Sequence, residues 1–93
     1  MLTEFEVRRQ LDLIQRSDAP PGAKARKLLR LGKSLRTQAQ ELVEAQARAE
    51  RSHNVNANRQ LERMAATARS LREEARSAAL AILRSRQQYR FSP

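Results

Sequence analysis

The chain has 93 residues and a formal net charge of +9, with no cysteine, no tryptophan, one histidine and only Phe5, Tyr89 and Phe91 as aromatic residues. That composition excludes disulfides, thiolate catalysis and zinc–thiolate sites, and the length allows one domain, residues 1–93, around one core. No run of residues is apolar enough for a secretory leader or a membrane span, so the expected location is the cytoplasm.

The first predicted helix covers residues 3–17. Thr3 followed by Glu6 fits a capping box, in which hydroxyl and carboxylate each satisfy a free amide of the first turn. Val7, Leu11 and Ile14 then recur at helical spacing, with Leu13 at the edge of the stripe. Asp18-Ala-Pro-Pro-Gly22 breaks the helix, because the residue before each proline is driven out of the α region.

Pro20 and Pro21 suit the first turn of a second helix, predicted over 21–52, since that turn needs no amide proton. Leu28, Leu31, Leu35, Leu42, Ala45 and Ala49 form a coiled-coil-type seam. Leu29 and Val43 are expected to widen the seam enough to take a third helix. Gln38 is the polar residue of the seam, a pattern that fixes register or oligomeric state. Gly32 is read as permitting a kink or the close approach of another backbone.

Asparagines at 54, 56 and 58 compete for backbone hydrogen bonds and predict a turn over 52–58 that ends in an N-cap. The third helix is then predicted over 58–88, followed by a tail, 89–93. Its seam is Leu61, Met64, Ala68, Leu71, Ala75, Ala78 and Ile82, flanked by Ala65, Ala79 and Leu83. Folding at about Val55 sets large seam residues against small ones, Leu35 against Ala75 or Ala78 and Leu42 against Ala68 or Leu71, with a register uncertain by a turn. The expected fold is therefore all-α: a short N-terminal helix packed on a long antiparallel helical hairpin, resembling a three-helix bundle. One continuous helix from Ala23 to Gln88, dimerised as a coiled coil, uses the same seam and is the alternative. A chain this short buries only roughly 60–65% of its unfolded surface, so self-association, as a dimer, is expected in either case.

Charge is unevenly placed. Residues 24–36 carry Lys24, Arg26, Lys27, Arg30, Lys33 and Arg36 with no acid, and residues 84–93 add Arg84, Arg86 and Arg90, again with no acid. Arg26, Arg30, Lys33 and Thr37 share one helical stripe, with Lys24, Lys27 and Ser34 on the next. A hairpin gathers both blocks at one end, where cations with Ser and Thr between them suit phosphate contacts that position without reading sequence. The bland reading of the same residues is a helix surface solvated by arginine.

Other candidates are thin. Leu31-Gly-Lys-Ser34 has the end of a phosphate loop but Lys27 where the loop needs glycine, and no strand before it. His53 has no second histidine or cysteine to share a metal. Glu41, Glu44, Glu73 and Glu74 sit at ion-pair spacing from arginines, Arg69 with Glu73 among them, as on a solvated face. No catalytic residue, cofactor, metal or small-molecule substrate is expected. Tyr89 and Phe91 are candidate partner anchors, or else fold back onto Val7 and Leu11. The function expected from these residues is that of a non-enzymatic binding or assembly protein. Its basic end engages nucleic acid or an acidic protein surface. The rival is a structural adaptor for other proteins' helices, with basic residues that only solvate it.

Overall fold

A computed structural model describes the backbone of residues 1–91 and the side chains of residues 1–85. The described chain is all helix and turn: α1 spans Glu4–Arg16, α2 Pro21–Arg51 and α3 Val55–Phe91. α2 and α3 form the antiparallel hairpin, and α1 lies against one flank of it, antiparallel to α2. The molecule is elongated, 62 × 21 × 14 Å, with a radius of gyration of 16.6 Å.

α1 starts as its sequence dictates. The Thr3 hydroxyl accepts from the Glu6 amide at 3.2 Å, the hydroxyl half of a capping box. Val7 and Leu11 are buried. At its far end the Ser17 hydroxyl and amide both donate to the Ile14 carbonyl, and the chain turns into Pro20-Pro21. Pro21 opens α2 at a position where its missing amide proton costs nothing.

The turn between α2 and α3 is tighter than the asparagine pattern predicts. α2 closes in a Schellman motif: the Asn54 amide donates to the Ala49 carbonyl and the His53 amide to the Glu50 carbonyl. His53 holds the left-handed position, φ 57°, that glycine usually takes there. Asn54 then caps α3 at once, its side-chain oxygen accepting from the Ala57 amide at 3.1 Å. Asn54, not Asn58, is therefore the N-cap, and Val55 to Asn58 lie inside α3 rather than in the turn. Asn58 now has a buried side-chain oxygen without a hydrogen-bond partner. At the other end α3 continues to Phe91, past the predicted stop near Gln88, so the expected tail is helical up to there.

Two apolar clusters hold the hairpin. Near its open end Val7 and Leu11 of α1 meet Leu28, Leu31 and Leu35 of α2 and Leu71, Ala75 and Ala79 of α3. Nearer the turn Ala39 and Leu42 meet Ala65 and Ala68, with Leu61 beside them. Gly32 lies level with Ala75 and Arg72, which puts the fold point at about His53, about two residues before the expected Val55. By the register that Gly32 sets, Leu31 falls level with Ala75, large against small. Leu35 falls level with Leu71 instead of the expected Ala75 or Ala78, and Leu42 with Ala65 instead of Ala68 or Leu71. The seams also rotate slightly. Ala65 and Ala79 are core whereas Met64 is exposed, and Ala25 and Ala39 join the core of α2.

Leu29 and Val43 do not receive the third helix; they remain 45% and 41% exposed. α1 takes the other flank, where Gln38 holds it. The Gln38 side-chain nitrogen donates to the Leu2 carbonyl at 2.9 Å, and its oxygen accepts from the Leu2 amide at 3.0 Å. The polar seam residue thus pins the start of α1 to the middle of α2. At the opposite end of α1 the Lys24 ammonium donates to the Gln15 carbonyl at 3.1 Å. Between them Arg8 bridges Glu4 and Glu74, at 3.2 and 3.1 Å. The bond to Glu4 and the charge of Glu74 raise the Arg8 pKa above the ordinary guanidinium value.

Candidate nucleic-acid interface

α2 carries its basic block as two exposed stripes. Arg26, Lys27, Arg30, Lys33 and Arg36 are exposed, and Lys24 is half-buried. Lys24 is committed to the Gln15 carbonyl, so it contributes to holding α1 as well as to the field. Arg26 leans back toward the Gly22 carbonyl at 3.4 Å. The interleaved hydroxyls are occupied: Ser34 donates to the Arg30 carbonyl and Thr37 to the Lys33 carbonyl, both at 3.2 Å. Each bonds the carbonyl one turn back on its own helix, and both hydroxyls are exposed.

The hairpin brings the start of α2 beside the end of α3. Pro21 and Lys24 share an open cleft of about 690 Å³ with Ala78, Ala81, Ile82 and Ser85, and exposed Arg84 stands at the same end. Arg86 and Arg90, expected to complete the basic pole, and Tyr89 and Phe91, expected as partner anchors or core, have side chains outside the described residues.

Sequence reasoning missed a second set of cations. Arg69 of α3 was expected to pair with Glu73 on a solvated helix face, to which Arg72 and Arg76 also belong. Among the described residues the ion pairs are Glu4–Arg8–Glu74 and Asp12–Arg16, so the Arg69–Glu73 pair is not formed. The three arginines instead face α2 across a shallow groove, with Arg36 opposite Arg69 and Arg72 and with Lys33 and Arg36 opposite Arg72 and Arg76. No spacing within α3 reveals this. It depends on the hairpin register, which decides which α3 residues stand beside Lys33 and Arg36.

His53 is exposed in the turn. Among the described residues no three His, Asp or Glu side chains come together to hold a metal, and no helix is long and apolar enough to cross a membrane. What fold and surface define together is an elongated helical hairpin, strapped by a short helix on one flank and positively charged along α2. No protein-family model matches the chain, and no match is found among curated proteins or solved structures.

Proposed function

We propose that this chain is a non-enzymatic basic helical module of the cytoplasm that binds nucleic acid through its phosphate backbone. The observation that carries this reading is the acid-free stretch of α2, Lys24 to Arg36, whose cations form no ion pair among the described residues. Such a face has no internal neutralisation, and a polyanion supplies it while releasing its own condensed counterions.

Salt dependence tests the reading. With four or five phosphates engaged, log K should fall against log salt with a slope near about −4, at roughly −0.7 to −0.9 per contact. Changing Arg26, Arg30 and Lys33 together to Gln should flatten that slope by about two to three. Micromolar binding indifferent to both salt and the triple change would refute the proposal.

The adaptor reading has its own support in the cleft lined by Ala78, Ala81 and Ile82, an apolar surface at the open end of the hairpin. No binding of nucleic acid even at low salt would favour it. Self-association is part of either version, and sedimentation across protein concentration measures it directly.

A further inference from the structure

We infer that the groove between α2 and α3 on the face opposite α1 is a seat for the backbone of a nucleic-acid duplex, with Lys33 and Arg36 on one wall and Arg69, Arg72 and Arg76 on the other. This deepens the reading above and rests on it, but extends the contact from Lys33 and Arg36 to residues of α3 outside the two acid-free blocks.

At 3.6 residues per turn, Lys33, Arg36 and exposed Leu29 fall on one side of the α2 core line, and Gln38, which holds α1, falls on the other. α3 divides likewise. Glu74 meets Arg8 of α1, and Ala78 and Ile82 line the α1-side cleft, whereas Arg69, Arg72 and Arg76 line the far groove. The far flank is therefore uncovered by any described part of the chain.

Register then concentrates the charge. Gly32 sits against Arg72 and Ala75 with no side chain of its own between the helices. Arg76, Lys33, Arg72, Arg36 and Arg69 consequently occupy successive levels along the hairpin, within about 10 Å at 1.5 Å per residue. A duplex presents about six phosphate charges in that length, at one per roughly 1.7 Å. Glu44, at the turn-side end of the groove, is the acid among its lining residues.

The arrangement favours two strands over one. The cations form two rows on helices whose axes stand about 8–10 Å apart, a spacing that lets each row meet phosphates of one strand across a minor groove about 6 Å wide. Unpaired strands are held by stacking bases on aromatic rings as well as by charge. The uncharged lining beside the cations is Leu29, Gly32, Ala39, Gln40 and Val43, with no ring among the described residues.

The test compares two double variants of equal net charge. R72Q/R76Q removes groove cations, whereas R59Q/R63Q removes exposed arginines of α3 outside it. Gln keeps the helix propensity of Arg closely enough for both to fold, which far-UV circular dichroism and melting verify. Binding is read by fluorescence anisotropy of a labelled 20-base-pair DNA duplex and of one of its strands, over a salt series. The groove pair should weaken duplex binding about tenfold and reduce the salt slope by about two, and the control pair should change it less than about threefold. The wild type should prefer duplex to single strand.

Equal losses from both pairs, or preference for the single strand, would overturn the groove assignment and leave nucleic-acid binding standing. Displacement by polyglutamate as effective as by unlabelled duplex would overturn it in favour of an acidic protein partner. Absence of binding to either DNA would remove both the groove and the reading beneath it.

Discussion

Gly32→Ala separates two roles of the one glycine in the interior of the hairpin. If close approach of α3 demands glycine, alanine destabilises; if the helices leave room for a methyl, alanine stabilises. A Cβ built on Gly32 meets the Arg72 carbonyl oxygen at 3.9 Å and the Ala75 Cβ at 4.0 Å, ordinary van der Waals distances. The methyl therefore fits without movement of either backbone. Alanine in a helix interior is favoured over glycine by about 0.8–1.0 kcal/mol, and the buried methyl adds up to about 0.8 kcal/mol. The expected gain is about 1–1.5 kcal/mol, or roughly 4–12 °C in Tm for a domain of this size. Urea denaturation followed at 222 nm, at fixed protein concentration, measures it as a higher midpoint with an unchanged slope. A midpoint lowered by the substitution would refute the packing argument and show that α2 and α3 approach more closely than these distances.

Three further substitutions probe other parts of the chain. Gln38→Ala removes both bonds to Leu2 and should cost about 1–2 kcal/mol; hydrogen exchange should quicken in α1 amides while those of Leu35 and Leu71 stay protected. His53→Gly relieves the left-handed backbone at φ 57° and should stabilise by about 0.5–1 kcal/mol, read from the same urea midpoint. Asn58→Ala removes a buried oxygen without a partner and a poor helix former, and should raise Tm by a few degrees, about 0.5–1 kcal/mol; a lower Tm would show that Asn58 has a bond in solution.

Helix number and the hairpin were legible in the leucine and alanine spacing, but the pairing was not, since Leu35 lies level with Leu71 rather than with Ala75 or Ala78. The breaks at Pro20-Pro21 and in the asparagine stretch were legible too. The turn was overestimated because three asparagines look alike in sequence, and only the Schellman closure of α2 selects Asn54 as the cap. The flank taken by α1 was not legible. Leu29 and Val43 made one flank look the stickier, but the amide clamp of Gln38 on Leu2 and the Arg8–Glu74 bridge settle the docking on the other. The basic face of α2 could be read directly, since it needs only helical periodicity. Its continuation onto Arg69, Arg72 and Arg76 could not, because it follows from a register that slides these residues by about one turn when the fold point moves by two.

The slender form of the hairpin has a hydrodynamic consequence. A compact chain of this length has a radius of gyration of about 12 Å, against 16.6 Å for this one. In gel filtration a single copy will elute early, at the volume of a substantially heavier globule, and calibration against spherical standards will report a dimer for a monomer. Mass read from light scattering or sedimentation equilibrium, which do not depend on shape, is the measurement that counts its copies.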